Sequence, residues 1–167
     1  MTMPSSLAFA GRYMTELQQI QDFLSEKRLA IVGVSRDAKD YTRVVFGEFV
    51  KRGYDAVPVN PLASEIDGKP CLGRLIDVKP PVQAALYLIP PEITDDMMQD
   101  CADAGIKKVW FRRKLRHDEH SSNTLSFCKE HKVSVISGFC PLMFLPDAES
   151  VHRFHGFLLK LFGKYPK

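Results

Sequence analysis

The short segment 33–38, which lies between an apolar run and a helical pattern, could bind phosphate. In an open parallel sheet the first loop of this kind is the usual phosphate site, because its backbone amides and the following helix N-terminus both attract anions. A dinucleotide-binding loop needs glycine at its first two fingerprint positions, where this chain has Gly33 and Ser35. The second predicted strand ends in Asn60, where an NAD site carries a carboxylate for the ribose. Both departures disfavour NAD.

Three basic residues surround the same segment, and they favour a ligand that carries several phosphate charges. They are Arg36, Lys39 and Arg43. Arginine and lysine make charge-assisted hydrogen bonds to phosphate oxygens. The same composition is equally typical of a solvated basic loop, so the charges alone leave both interpretations open.

Acid–base and metal chemistry have weaker candidates. An enzyme would need an acid or base at the carboxyl edge of the sheet, and the best candidates there are Tyr41 and His117, but we assign no catalytic residue. Two His-x-x-His pairs, His117 with His120 and His152 with His155, each supply only two of the ligands that zinc needs. Solvation or helix capping accounts for the first pair, and packing at the edge of the core accounts for the second. We therefore expect no metal site.

Alternating strands and helices must position these residues. Continuous apolar runs predict five strands, at 29–32, 56–59, 84–89, 106–111 and 133–136. Such alternation is typical of a parallel sheet with right-handed crossovers. We predict an α/β, Rossmann-like three-layer fold whose five-stranded parallel sheet has the order 3-2-1-4-5, with added helices at 15–27 and 149–163.

Length and charge narrow the function classes. The 167 residues, 45% hydrophobic and 26% charged, predict one domain over 1–167. No apolar run approaches the ~20 residues that span a bilayer, which excludes an integral membrane protein. A net charge of +3 is small for a nucleic-acid-binding domain and suits a small anionic ligand. No Cys-x-x-Cys pair and no secretory signal pattern is present, so we expect a reduced, cytoplasmic protein.

Several short motifs resemble, in their order and spacing, the CoA-binding domain family. This single-domain Rossmann-like group is similar to the CoA-binding domain of the succinyl-CoA synthetase α subunit and of ADP-forming acyl-CoA synthetases. The resemblance runs from about Leu29 to Cys140. The matching residues are Gly33-x-Ser35-Arg36, Lys39-Asp40-Tyr41-x-Arg43, Gly53-Tyr54, Val59-Asn60-Pro61, Gly68, Pro90 and Val109-Trp110.

The resemblance implies where the parts of CoA lie. The loop from Gly33 to Arg36 would face the phosphates, Asn60-Pro61 would flank the adenosine, and Pro90 with its neighbours would border the pantetheine arm. Leu62 stands where members often have a basic residue, and Arg112 and Arg113 stand where Gln-x-Gly is frequent, so an arginine could replace the missing phosphate contact. The residues that we expect to bind CoA are Gly33, Val34, Ser35, Arg36, Lys39, Tyr41, Arg43, Asn60, Pro61, Ile89, Pro90 and Arg112.

Cys140 is the thiol that is placed best for chemistry. It follows the turn after the fifth predicted strand, at the carboxyl edge that holds the predicted site. A thiolate there could exchange with the CoA thiol and form a mixed disulfide, with Arg112 or Arg113 stabilising the charge. The alternative is an unreactive buried cysteine, which is what we expect of the other three cysteines.

We expect a stand-alone module that binds CoA or an acyl-CoA, with a binding or regulatory function. Succinyl-CoA synthetase uses a phosphohistidine in a further domain, so ligase activity is not expected here, and turnover of another kind stays open. The alternatives are an NAD(P)-linked oxidoreductase or a nucleotide-dependent transferase in the same cleft, and an interaction protein with an empty pocket.

The apolar stretch 139–146 either packs under the last helix or forms a homodimer patch. We expect no nucleic-acid or membrane partner.

Overall fold

A parallel sheet with helices on both faces organises the chain. The computed structural model describes residues 14–89, 95–115, 119–147, 160 and 165–166. The helices are α1 Glu16–Ser25, α2 Tyr41–Lys51, α3 Asp95–Asp103 and α4 Glu119–Glu130. The strands are β1 Arg28–Val32, β2 Asp55–Val59, β3 Glu65–Ile66, β4 Lys69–Pro70, β5 Ala84–Tyr87, β6 Lys108–Phe111 and β7 Ser134–Ser137. Short 3₁₀ turns cover Leu75–Asp77 and Pro141–Met143.

The central sheet has the order β2-β1-β5-β6-β7, and all of its pairs are parallel. The predicted fold class, with five parallel strands in a Rossmann-like arrangement, is confirmed. Numbered along the chain, these five strands stand as 2-1-3-4-5. The third strand, β5, lies between the first and the fourth, and not beyond the second where the order 3-2-1-4-5 puts it.

The connection between β2 and β5 explains this placement. It contains the small antiparallel pair β3-β4 and a 3₁₀ turn instead of a long crossover helix, and it leads the chain back past β1. Apolar periodicity predicts that a strand is buried but does not say on which side of an earlier strand it pairs. The strand order therefore reverses between β1 and β5, and open α/β sheets bind ligands at the carboxyl ends of the strands at such a point.

Two apolar clusters pack against the two faces of the sheet. On one face Phe23 of α1 and Phe46 of α2 meet Leu29, Ile31 and Trp110. On the other face the α3 and α4 residues Met98, Cys101 and Cys128 pack with alternate strand residues such as Ala30, Val32, Tyr87 and Val109. Burial of both faces is why the strands are continuous apolar runs in the sequence.

The predicted N-terminal helix is present as α1. A capping box between Thr15 and Gln18 begins it, and its residues Ile20 and Phe23 are buried. Lys108 of β6 donates to the carboxylates of Asp22 at 2.9 Å and of Glu26 at 2.8 Å, and so attaches α1 to the sheet. The helix predicted at 149–163 lies outside the described residues except for Lys160. The helices within the described ranges are too short or too polar to cross a bilayer.

Candidate functional site

The residues singled out in the sequence meet at the carboxyl edge of the sheet. The segment 33–40 follows β1, Asn60 and Pro61 follow β2, and Ile89 follows β5. Arg112 follows β6, and Cys140 follows β7. Pro90 and His117 lie outside the described residues, as do His152 and His155. Parallel strands bring their carboxyl ends to one edge, which is why residues so distant in sequence share this region.

Gly33 sits at the point where the strand order reverses. Its φ of 88° is in the left-handed region, and its amide donates to the carbonyl oxygen of Val59 at 2.8 Å. A Cβ at this position would overlap Cγ2 of Ile89 and lie 3.2 Å from the Ile89 backbone nitrogen. Only glycine fits both the left-handed conformation and the close approach to Ile89. The crevice between β1 and β5 is therefore narrow at Gly33.

Asn60 joins the loop after β2 to the loop after β1. Its Nδ2 donates to the carbonyl oxygen of Val34 at 2.8 Å, and its Oδ1 accepts from the amide of Leu62 at 2.9 Å. A carboxylate could not make the first of these bonds, which explains why an amide stands where NAD sites have an acid. The side chain of Val34 is fully buried. Both residues therefore shape the loop from within the protein.

The polar groups between Ser35 and Thr42 are largely bonded to one another. Thr42 Oγ1 accepts from the amide of Ser35 at 2.9 Å and donates to Asp40 Oδ1 at 2.6 Å. Asp40 is the N-cap of α2, and these bonds from the Thr42 hydroxyl and amide lower the pKa of its carboxyl. The amides of Asp37 and Lys39 bond to side chains within the loop. A phosphate would meet a helix end that already has a carboxylate, so cationic side chains must supply most of the attraction.

The three predicted cations differ in their surroundings. The side chain of Arg43 is only 12% exposed, pairs with Asp67 of the β3-β4 turn, and donates to the carbonyl oxygens of Ser35 and Arg36 at 3.3 Å. These contacts with the loop carbonyl oxygens and with Asp67 hold the loop in place. Arg36 and Lys39 are exposed, and neither forms an ion pair with the rest of the described chain.

A cavity of about 290 Å³ opens beside the crevice, on the α3 face of the sheet. Pro61 lines it, together with Val32, Val59 and Tyr87 at the ends of three strands. Arg74 and Asp100 also line it, and they form an ion pair at 3.1 Å, while the Leu75 amide donates to Asp100 at 2.7 Å. The Tyr87 hydroxyl is buried near the Cys101 thiol, and burial is the main cause that raises its pKa.

Sequence reasoning missed the polar members of this cavity. A signal existed for Tyr87, because it is the one polar group in an otherwise apolar run at 84–89. Arg74 follows Gly73, and a Cβ on that glycine would lie 3.9 Å from the Cα of Pro61. A larger cavity of about 480 Å³ has a lining from α3 and α4, away from the loop after β1.

Tyr41, Arg112 and Cys140 form a cluster at the start of α2. The Tyr41 hydroxyl lies 3.1 Å from Sγ of Cys140, and the guanidinium carbon of Arg112 lies 4.9 Å from the Tyr41 ring centroid. Burial and the hydrogen bond to Cys140 raise the pKa of Tyr41. Trp110 Nε1 donates to the carbonyl oxygen of Phe139 at 3.0 Å and so fixes the segment before Cys140. This cluster is the part of the predicted site where side chains from three elements come into contact.

Comparison with known proteins assigns the chain to a family. The CoA binding domain matches residues 27–146, which include every strand of the central sheet. The chain belongs to this family, and the resemblance that the short motifs indicated is confirmed.

A named relative and a solved structure are similar to this chain. The chain is 26% identical over 132 residues to the ADP-forming acetate–CoA ligase II of Archaeoglobus fulgidus, and the match covers 74% of this chain but only 20% of the ligase. A hypothetical protein from Pyrococcus horikoshii OT3 has the same fold with a TM-score of 0.65 and 22% identity, over 83% of this chain and 94% of that chain.

A solved ligase structure shares the fold as well. The dinucleotide-forming acetyl-coenzyme A synthetase 1 of Ca. Korarchaeum cryptofilum, in complex with phosphate and ADP, has a TM-score of 0.61 and 21% identity. The match covers 67% of this chain and 26% of that one. The matched two thirds of this chain thus correspond to about a quarter of the synthetase.

Proposed function

We propose that the chain binds CoA or an acyl-CoA at the carboxyl edge of its sheet, as a binding or regulatory module. The observation that carries the proposal is that the CoA binding domain matches residues 27–146 and that the crevice between β1 and β5 lies inside this match. The fold match covers 94% of a hypothetical protein from Pyrococcus horikoshii OT3, so that protein consists almost entirely of this fold, which supports a module that acts by itself.

The polar groups of the site favour CoA over NAD. Ser35 has a side chain where a dinucleotide site needs bare backbone, and the Asn60 amide is engaged with Val34 and Leu62. Arg36 and Lys39 supply two exposed positive charges beside the loop. CoA carries a pyrophosphate and a 3′-phosphate, so it gains more than NAD from exposed cations.

Each part of CoA has a proposed place. The pyrophosphate contacts Arg36 and Lys39, and the adenosine lies against Pro61 at the cavity of about 290 Å³. Leu62 is exposed and apolar, so Arg74 at the mouth of this cavity is the proposed partner of the 3′-phosphate. The pantetheine arm follows Ile89 and ends near the cluster of Tyr41, Arg112 and Cys140.

The remaining predicted residues act by positioning. Gly33 sets the width of the crevice, Arg43 and Asn60 hold the loop through its carbonyl oxygens, and Val34 and Ser35 shape its backbone. The side chains of Val34, Ser35, Arg43 and Asn60 are engaged with the protein, and we propose no direct side-chain contact with the ligand for these residues.

Calorimetric titration of the full chain with CoA, dephospho-CoA, NAD and ADP tests the proposal. We expect CoA to bind most tightly, and dephospho-CoA to bind about tenfold or more weakly because a charge-assisted contact is lost. Arg74→Ala should remove most of the difference between CoA and dephospho-CoA. Lys107→Ala is the matched control, because Lys107 is exposed at the opposite, amino edge of the sheet. Tight NAD binding without detectable CoA binding would refute the proposal.

A further inference from the structure

The cysteines of this chain differ sharply in their access to solvent. Cys71, Cys101 and Cys128 are buried, whereas Cys140 is partly exposed at the carboxyl edge. Burial raises the pKa of Cys101 to about 12 and that of Cys128 to about 11, and it also raises the pKa of Cys71. Because the thiolate is the attacking species in thiol–disulfide exchange, these three thiols are poor nucleophiles.

Cys140 combines its partial exposure to solvent with polar neighbours. The Tyr41 hydroxyl lies 3.1 Å from its Sγ. Because burial and this contact raise the pKa of Tyr41, the phenol keeps its proton at neutral pH and can donate to a thiolate. Arg112 lies over the Tyr41 ring, and its buried Nε makes no hydrogen bond within the described chain. The cluster therefore holds a cation and a donor that an incoming anion or thiolate could use.

The proposed ligand brings a matching group to this place. CoA ends in a thiol, and its pantetheine arm runs from the loop after β1 toward the later strands if the phosphates lie at Arg36 and Lys39. Arg112 and Cys140 follow β6 and β7, the next strands beyond β5. The thiol end would then arrive on the side of the crevice where Cys140 lies.

We propose that Cys140 is a covalent attachment site that forms a mixed disulfide with CoA, which makes the module sensitive to the redox state of the CoA pool. The inference rests on the proposed function. In the step, the Cys140 thiolate attacks one sulfur of CoA disulfide, a bond forms between Sγ and that sulfur, and the S–S bond of CoA disulfide breaks. Cys140 is oxidised, and the departing half leaves as a CoA thiolate that takes a proton from water. A reducing thiol reverses the step.

Mass spectrometry of the full-length, reduced protein tests the inference. The protein is treated with CoA disulfide and, in a parallel reaction at equal concentration, with glutathione disulfide, which has no nucleotide. We expect one CoA adduct on Cys140, formed at least tenfold faster than the glutathione adduct because binding raises the local concentration. An excess of S-alkylated CoA, which has no free thiol, should compete for the site and slow formation of the CoA adduct. The Cys140→Ser variant should form no adduct at this position.

A second variant tests whether the Tyr41 hydroxyl stabilises the Cys140 thiolate. Tyr41→Phe keeps the ring under Arg112 but removes the donor to Sγ, so the exchange rate should fall about fivefold. The rate is measured at saturating CoA disulfide, so that a change in affinity does not affect it. The thiolate absorbance of the protein, taken as the difference between each parent and its Cys140→Ser form, should fall in the Tyr41→Phe background. Unchanged rate and absorbance would overturn the assignment of Tyr41 as donor.

The failures of the two proposals are distinguishable. If Cys140→Ser binds CoA in the calorimeter but the parent gives no adduct on Cys140, the covalent site is refuted and CoA binding stands. If the adduct forms equally fast from glutathione disulfide and S-alkylated CoA does not slow it, Cys140 is an accessible thiol outside the ligand site, and the inference is again refuted. If CoA does not bind Cys140→Ser, the proposed function itself fails.

Discussion

The loop after β1 and the segment after β7 reach the same edge of the sheet, but they use their polar groups differently. In the loop, Asp40, Thr42 and Arg43 make most of their hydrogen bonds to other loop groups or to the neighbouring turn. After β7, Cys140 has a contact with the Tyr41 hydroxyl, and the nearby Arg112 lies against an aromatic ring.

The comparison distinguishes residues that stabilise the fold from residues that are available to contact a ligand. A loop that satisfies its own donors and acceptors keeps its shape without ligand, and changes within it should mainly alter the free energy of unfolding. Exposed or loosely partnered groups contribute little to folding, so changes to them should mainly alter binding. The next four predictions test this division, beginning with the largest expected effect.

Gly33→Ala should lower the free energy of unfolding by about 3 kcal/mol, because a Cβ adds left-handed strain and overlaps Ile89. Urea denaturation measures it. Gly53→Ala is the control, since Gly53 has a similar φ of 80° but nothing within 4 Å of an added Cβ. Equal losses in the two variants would show that the contact with Ile89 is unimportant and that only backbone strain matters.

Arg36→Ala should weaken CoA binding by about 1.5–3 kcal/mol, the usual contribution of a charge-assisted hydrogen bond, and leave the melting temperature nearly unchanged. Arg43→Ala should mainly lower the melting temperature and should affect CoA binding less, because Arg43 holds the loop and Asp67 together. Calorimetry and thermal denaturation of both variants and of Lys107→Ala provide the measurements. A melting temperature that falls with Arg36→Ala would assign Arg36 to the scaffold instead.

Asn60→Asp should lower the free energy of unfolding by about 1–3 kcal/mol, because it replaces the donor to the Val34 carbonyl with a second acceptor. It should not create NAD binding, although it restores the acid of a dinucleotide site. Denaturation and NAD titration check the two statements, with Asn123→Asp on the exposed side of α4 as the control. An Asp variant as stable as the parent would contradict the bridging role of the amide.

Asp40→Asn should have the smallest effect, no more than about 1 kcal/mol at pH 7, since both residues are good N-caps. The pKa of Asp40 in the folded protein is below its ordinary value of 3.8, so the carboxylate contributes stability above that value. This contribution is lost as the pH falls through the folded pKa. The stability difference between parent and variant should therefore shrink in acid, and a difference that grows below pH 3.8 would contradict the assignment.

The sequence by itself determined the parts of this protein that depend on near neighbours. Continuous apolar runs predicted the five strands of the sheet, because burial on both faces leaves a local pattern, and the alternation of strands with helices predicted the fold class. The motifs around Gly33 and Asn60 were sufficient to indicate the family, which the domain match confirms. The carboxyl-edge location of Cys140 also followed from local order, since it comes directly after a strand.

Only the tertiary structure decided which groups meet. Arg43 pairs with Asp67 across 24 positions, and Tyr41 meets Cys140 across 99. Such contacts depend on the strand order and on the path of the connection from β2 to β5, neither of which has a local signature in the chain. The same order made Arg43 and Asn60 structural and brought Arg74 and Tyr87 into one cavity. The sequence specifies the chemistry of each side chain. Packing between distant segments determines whether a polar group faces a ligand or a carbonyl oxygen.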